Sequence, residues 1–147
     1  MKKLNVDIEA TIDKLKFIEQ LRNELFEELQ QEKISNSLRS QLVIERAVQL
    51  IIQTILDIGA HIISRTTDIN PKSYSDIIPL LVEKKIMSIK LGNQLEKISG
   101  LRNILVHDYT KIDTELLKDH AYSILTDSKL FIEEIKQFIR EKEQTKK

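Results

Sequence analysis

The sequence contains no cysteine, only two prolines and only three glycines among its 147 residues. Without cysteine, the chain can form neither a disulfide framework nor a thiolate metal site. An all-β domain needs many turns, which glycine and proline usually supply, so their scarcity argues against that class. The low glycine and proline content therefore favours a helical fold.

The chain also lacks a long uninterrupted apolar segment. Its most apolar stretch, LIIQTILDIGAHII at 50–63, is interrupted by Gln53, Asp57 and His61. We therefore expect no membrane span. The opening residues MKKLNVDIEA carry two lysines without an apolar run behind them, so no signal peptide is expected. These features predict a cytoplasmic protein that does not bind a membrane.

Neither sign of charge is in excess, because 23 lysines and arginines balance 23 aspartates and glutamates. A protein that coats nucleic acid without sequence preference would normally be basic overall. The stretch 84–111 is locally basic, with six basic and two acidic residues. A solvated helix face explains this excess, and contact with a nucleic-acid backbone is the alternative. The candidate contacts are Lys84, Lys85 and Lys111.

Apolar residues recur every three or four positions along most of the chain, which predicts helices from end to end. The first predicted helix covers about 6–32, and SNS at 35–37 offers caps for the second, which ends before a loop at 66–76 that contains Asn70–Pro71. A short third helix at 75–85 carries Pro79 in its first turn. Ser88 caps the fourth helix, which runs into 102–109, and Asp113 caps the fifth. The predicted fold is a single all-α domain over 1–147, an up-and-down bundle of four long helices and one short helix with a polar tail from about 141.

The second predicted helix has an apolar surface wide enough to be covered on more than one side. Gly59 lowers its stability, so close packing of another helix is the expected reason for a glycine there. His61 and Arg65, one turn apart, are interpreted as the polar end of a buried helix rather than as a site. Glu45 and Arg46 are interpreted as a solvated ion pair, and the alternatives are pairing with a second copy of the chain or support of the segment at 102–109.

The segment RNILVHDY at 102–109 crowds several polar side chains at the end of the fourth predicted helix. On a helical wheel Arg102, Asn103, His107 and Tyr109 share one side. Histidine exchanges a proton near neutral pH, and a guanidinium binds phosphate oxygens in pairs. The residues alone leave two interpretations open. One is a site that attacks a phosphodiester, and the other is a helix end whose Arg and His favour the macrodipole while Tyr109 covers the core.

The spacing R-x4-H-x-Y formed by Arg102, His107 and Tyr109 resembles the motif of HEPN-domain ribonucleases, and most closely the toxins of the HepT–MntA toxin–antitoxin family. The resemblance extends to ERAVQLIIQTILDIGAHI, SYSDIIPLLVEKKI and KISGLRNILVHDY, and covers about residues 4–141. It implies a helical bundle that forms a homodimer, with two motifs facing one cleft. It also implies RNA cleavage without a metal ion.

The resemblance implies a role for each motif residue. His107 would remove the proton from a ribose 2′-hydroxyl, Arg102 would hold the scissile phosphate, and Asn103 would support either group. The products would be a 2′,3′-cyclic phosphate and a 5′-hydroxyl. In this family a partner nucleotidyltransferase, MntA, transfers AMP to the motif tyrosine and silences the toxin, which makes Tyr109 the expected modification site.

No cofactor is expected, and the three histidines fall on different predicted helices, so no metal site is expected either. Two other functions remain open. The chain could be a non-catalytic HEPN subunit that docks a nucleotidyltransferase and binds nucleotide or substrate. It could also be a structural scaffold, in which the motif residues would be replaceable without loss of function.

Overall fold

The computed structural model of the chain describes residues 6–31, 37–97 and 114–145. These ranges contain helices joined by turns and short loops, and no strand. The helices are α1 (Ile8–Leu29), α2 (Leu38–Thr66), a short 3₁₀ helix (Tyr74–Asp76) that leads into α3 (Ile77–Glu83), α4 (89–97 within the described residues) and α5 (Thr114–Thr145). The predicted all-α bundle is confirmed. That residues 1–147 form one domain stays a prediction.

Both ends of α2 agree with the sequence. The Ser37 hydroxyl caps the helix by accepting a hydrogen bond from the backbone N–H of Ser40. The predicted loop at 66–76 is confirmed, since the helix ends at Thr66, but the residue that ends it is Thr67 rather than Asn70–Pro71. Thr67 is extended, and both its N–H and its hydroxyl donate to the carbonyl of Ile63. This local capping stops the helix before the proline is reached.

The short third helix is more divided than the sequence predicts. Residues 74–76 form a 3₁₀ turn, and the α-helix begins only at Ile77. Pro79 nevertheless lies in the first turn of α3, where its missing N–H removes no intrahelical hydrogen bond. That part of the prediction is confirmed. The proposed cap of the fifth helix, Asp113, lies outside the described residues.

Helices α1 and α2 pack side by side in opposite directions. Hydrogen bonds join the start of each helix to the end of the other. At one end the backbone N–H of Asp7 donates to Nε2 of His61 over 3.0 Å. At the other end the hydroxyl of Ser40 donates to the carboxylate of Glu28 over 2.6 Å. Helix α5 packs against both, and α3 packs against α2. The predicted central position of α2 is confirmed.

Among the described residues, α2 is the one helix that is long and apolar enough to cross a membrane. However, 61% of its most apolar stretch is buried inside the bundle. The buried core helix of a helical bundle can be as long and as apolar as a membrane-spanning helix. The apolar surface of α2 is therefore explained by its packing against the other helices.

Gly59 is the point where α3 approaches the backbone of α2. A Cβ atom placed there would lie 2.7 Å from Cγ2 of Ile77 and 2.9 Å from Cδ1 of Leu81. Cγ2 of Ile77 is attached directly to a β-branched carbon and moves little without its backbone. The predicted close helix packing at this glycine is confirmed.

We expect Gly59→Ala to lower the free energy of unfolding by up to about 2 kcal/mol. Alanine favours the helix by about 1 kcal/mol, but overpacking of this kind costs about 1–3 kcal/mol. Urea unfolding of the single and double variants measures the effect. In an Ile77→Ala background, which removes the obstructing methyl group, the same substitution should be tolerated better. A Gly59→Ala protein more stable than wild type would show that α3 moves away freely.

Candidate functional site

The motif itself lies outside the described residues, as do all of its predicted functional side chains: Arg102, Asn103, His107 and Tyr109, together with Lys111. The described part of α4 ends at Lys97, five positions before Arg102, and α5 begins at Thr114, five positions after Tyr109. The structure therefore defines the helices on both sides of the motif. The lysines predicted to contact RNA, Lys84 and Lys85, are both described.

The start of α4 is held firmly by α5. One carboxylate oxygen of Glu134 accepts the backbone N–H of Ser88 at 2.6 Å, and the other accepts its hydroxyl at 2.7 Å. The same hydroxyl accepts the N–H of Leu91 at 3.2 Å, which confirms Ser88 as the cap of this helix. The pair is 46 residues apart, and no local pattern in the sequence connects the two residues. Glu134 is thus a supporting residue that the sequence did not reveal.

Helix α4 has a buried side and an exposed side up to its last described residue. Leu91 and Leu95 are buried in the core. Gly92 lets α3 approach closely, since a Cβ there would lie 2.5 Å from Cγ2 of Val82. Lys90 and Lys97, two turns apart, are exposed on the other side. The helix that leads into the motif is therefore fixed on one side and basic on the other.

Lys84 and Lys85 form the turn between α3 and α4, and both side chains are exposed. Lys85 has φ of 60°, in the left-handed region where glycine is preferred. The N–H of Ile86 closes the turn by donating to the carbonyl of Leu81 at 2.9 Å. A lysine here carries about 1–2 kcal/mol of backbone strain that a glycine would avoid. The turn presents two adjacent cations immediately before α4.

The interpretation of Glu45 and Arg46 as a solvated ion pair is wrong. Consecutive residues point about 100° apart on a helix, and here Glu45 is 5% exposed whereas Arg46 faces solvent. The amide of Gln49 donates to the Glu45 carboxylate at 3.4 Å. Burial raises the pKa of the Glu45 carboxyl.

Asp127 on α5 is a second buried carboxyl group, 7% exposed, and its pKa is likewise raised by burial. It lies three residues after Ile124 and four before Phe131, both fully buried. That spacing places it on the apolar side of α5, and the sequence could have revealed it on this ground. Groups with pKa values perturbed by burial often support functional sites.

His61 has a structural role at the end of the α1–α2 pair. Because its Nε2 accepts the N–H of Asp7, the ring is neutral in this arrangement. Burial lowers its pKa, and the cations Arg65 and Lys14 lower it further, while Asp7 acts in the opposite direction. The interpretation of His61 as a polar helix end, rather than as a second site, agrees with this geometry.

We expect the contribution of His61 to stability to fall as the pH drops below about 6.5, the ordinary histidine pKa. His61 has a lowered pKa when folded, so the unfolded chain takes up the proton first and is favoured by acid. Its contribution is complete above that pH and declines below it. Urea unfolding between pH 8 and 5 should show a flatter profile for His61→Gln. His120→Gln, the control, should keep the wild-type profile, and identical profiles for wild type and His61→Gln would contradict this assignment.

Within the described ranges, no three His, Asp or Glu side chains come together as a metal site would require. The predicted absence of a metal ion from the reaction remains a prediction, because it concerns the motif.

Comparison with known proteins identifies the family. The HepT-like ribonuclease family matches this chain over residues 8–135. The chain belongs to the HepT-like ribonucleases. The tRNA nuclease HepT of Aphanizomenon flos-aquae is 32% identical to it over 116 residues, which are 78% of each chain. The predicted resemblance to the HepT toxins is confirmed, and with it the enzyme class.

Solved structures agree with this assignment. YutE of Bacillus subtilis, a cytosolic protein of unknown function, is 27% identical with a TM-score of 0.79, covering 95% of this chain and 93% of YutE. A tri-AMPylated HEPN toxin of Shewanella oneidensis, in complex with its MNT antitoxin, is 25% identical with a TM-score of 0.80. That match covers 86% of this chain and 96% of the toxin. The HepT-like fold is thus shared over most of the chain.

Proposed function

We propose that this HepT-like ribonuclease is the toxin of a toxin–antitoxin pair, and that a partner nucleotidyltransferase neutralises it by transferring AMP to Tyr109. One observation carries the proposal: the chain belongs to the HepT-like family and contains Arg102, Asn103, His107 and Tyr109 at the motif spacing. The AMPylated relative from Shewanella oneidensis, in complex with its antitoxin, supports the regulatory part. Its substrate class is RNA, as for the tRNA nuclease relative.

The proposed reaction is an internal transesterification. His107 takes the proton of the ribose 2′-hydroxyl, and the 2′-oxygen attacks the adjacent phosphorus. Arg102 holds the phosphate and stabilises the charge that grows on its oxygens. The bond to the 5′-oxygen breaks, and this oxygen takes up the proton that His107 returns, leaving a 2′,3′-cyclic phosphate and a 5′-hydroxyl. Asn103 supports the histidine or the phosphate, and no metal ion or cofactor takes part.

Tyr109 is proposed as the switch because AMP on its hydroxyl brings a phosphate into the same motif as Arg102. Tyr109 follows Arg102 by seven positions in the sequence. A phosphate held there competes for the guanidinium that the substrate needs, and the nucleotide occupies the space of the RNA. Modification therefore blocks the site chemically and sterically.

Lys84 and Lys85, with Lys111, are proposed as contacts to the RNA backbone. We expect Lys85→Gly to weaken RNA binding and to reduce the salt dependence of the binding constant by about one counterion. The free energy of unfolding should rise by about 1 kcal/mol, because glycine relieves the strain of the left-handed backbone. Lys84→Ala should weaken binding without the gain in stability. Fluorescence anisotropy at several salt concentrations measures both, with exposed Lys16→Ala on α1 as control. Unchanged affinity in both variants would remove these lysines from the site.

The protein is proposed to act as a cytoplasmic homodimer. The N-terminal part of α2 supports this, because it leaves apolar side chains uncovered: Leu38 is 70% exposed, Leu42 55% and Val43 39%. A second copy of the chain is the proposed cover for this surface. Light scattering should give twice the chain mass for wild type, and a lower mass for Leu42→Asp.

Incubation of the purified protein with RNA in excess EDTA tests the proposed function. We expect cleavage products that end in a 2′,3′-cyclic phosphate and a 5′-hydroxyl. Products with a 5′-phosphate, or cleavage that stops on chelation, would replace this reaction with a metal-dependent one. Absence of any cleavage would favour the alternative of a non-catalytic docking subunit.

A further inference from the structure

A groove between α1 and α5 lies among residues that the proposed reaction does not use. We call it the α1–α5 groove; its lining residues are Arg22, Asn23, Phe26, Tyr122, Leu125, Thr126 and Lys129. Its volume of about 510 Å³ is in the range of small-ligand sites. Three features of the groove point to a particular ligand: a fixed guanidinium, exposed aromatic rings and, among the described residues, a lining without carboxylates.

The guanidinium of Arg22 is held in place by α5. Its Nε donates to the hydroxyl of Ser128 at 2.9 Å, and one terminal nitrogen donates to the carbonyl of Leu125 at 2.9 Å. The remaining terminal nitrogen donates to none of the described residues. The bonds to α5 fix the guanidinium at the groove, so little conformational freedom remains to be lost when it binds a ligand. Such a prearranged fork suits a phosphate oxygen.

Two aromatic rings line the groove from its two helices, and both are unusually exposed. Phe26 on α1 is 54% exposed, and Tyr122 on α5 is 47% exposed. Aromatic rings on a protein surface leave apolar area in water, which a stacked base would cover. Every base has a flat face, so such stacking does not require a particular sequence. The rings thus fit unpaired nucleotides.

The charges of the lining favour nucleic acid as the occupant. Among the described residues, Arg22 and Lys129 line the groove and no carboxylate does. Arginine and aromatic rings are common in protein interfaces as well, so the preference for nucleic acid rests on the lysine, which is depleted there, and on the positive charge of the described lining. Glu19 and Glu133 lie about one helical turn from Arg22 and Lys129 along the chain, so the cationic patch is short. Its length fits one or two phosphates rather than a long RNA path.

We propose that the α1–α5 groove is a subsite for single-stranded RNA, in which a base stacks on Tyr122 or Phe26 and its phosphate binds Lys129 and Arg22. The proposal rests on the proposed ribonuclease function and adds a second point of contact with the substrate. Base-paired RNA presents no free base face, so the subsite selects unpaired segments.

Binding of a fluorescent single-stranded RNA of about ten nucleotides tests the proposal, with the full chain carrying His107→Ala to prevent cleavage. Tyr122→Ala should weaken binding about tenfold, within the range known for base stacking, whereas Tyr122→Phe should bind as the parent does. Tyr74→Ala is the matched control, because Tyr74 is equally exposed at 49% but lies outside the groove. Lys129→Gln should weaken binding and lower the salt dependence by about one counterion. Circular dichroism confirms that each variant is folded.

Several results would overturn the subsite. The first is failure of the His107→Ala parent to bind the oligonucleotide. The second is an RNA affinity of Tyr122→Ala and Lys129→Gln equal to that of the parent. The third is a loss of affinity in Tyr74→Ala as large as that in Tyr122→Ala. A change of oligomeric state in Tyr122→Ala, with unchanged RNA affinity, would assign the groove to a protein interface. The ribonuclease function is judged separately, by whether the wild-type protein cleaves RNA at all. In active protein, Tyr122→Ala should raise KM and leave kcat near the wild-type value.

Discussion

Replacement of His107 or Arg102 by alanine is expected to reduce RNA cleavage by at least a hundredfold. A positioned general base contributes about 10²–10⁴ in rate, and a group that stabilises developing charge contributes about 10²–10³. Because the two residues act on one transition state, the double variant should be little worse than either single variant. Expression of either variant should also no longer inhibit growth.

Single-turnover cleavage of a labelled RNA measures this loss, and thermal unfolding checks that each variant is folded. His120→Gln is the matched control, because it removes a histidine on α5 outside the motif and should retain activity. Arg102→Lys should recover only part of the rate, since lysine keeps the charge but not the planar pair of donors. Near wild-type cleavage by folded His107→Ala would exclude this histidine as the base.

Tyr109→Phe is expected to keep most of the ribonuclease activity and to escape neutralisation completely. The phenyl ring preserves the shape of the side chain, but it has no oxygen to accept AMP. After incubation with the partner nucleotidyltransferase, ATP and Mg²⁺, wild type should gain one or more AMP units and stop cutting RNA. The phenylalanine variant should show neither change.

Tyr74→Phe and Tyr122→Phe are the controls for this experiment, and both should be modified and silenced like wild type. Loss of modification in one of these controls would show that AMP is transferred to that tyrosine and not to Tyr109. Inhibition of Tyr109→Phe without a change in mass would indicate that the partner blocks the site by binding alone. Loss of cleavage in unmodified Tyr109→Phe would show that the hydroxyl also positions RNA.

The parts of the fold that follow from local patterns could be predicted from the sequence. Periodic apolar residues gave the helices, the caps Ser37 and Ser88 were recognisable from residue type, and Gly59 correctly indicated close packing. The end of α2 falls where the sequence places it, although Thr67 and not the proline supplies the cap. The start of α3 differs, because a 3₁₀ turn at 74–76 precedes the α-helix.

Features that depend on distant residues could not be predicted in the same way. The clamp of Glu134 on Ser88 and the bridge from Arg22 to α5 join residues 46 and more than 100 positions apart. Glu45 was misjudged because its neighbour Arg46 suggested a pair, whereas the helix turns the two in different directions. The roles of the motif residues came from the family resemblance, since their spacing alone also fits a polar helix end.

The most direct test of the account follows cleavage and intact mass in one sample during AMP transfer. Wild-type protein is incubated with the partner nucleotidyltransferase, ATP and Mg²⁺, and portions are freed of the partner, transferred to EDTA and given RNA. Cleavage should fall in step with the fraction of chains that carry AMP at Tyr109, as mapped by peptide mass analysis. Protein fully modified at Tyr109 that still cuts RNA at the unmodified rate would contradict the account.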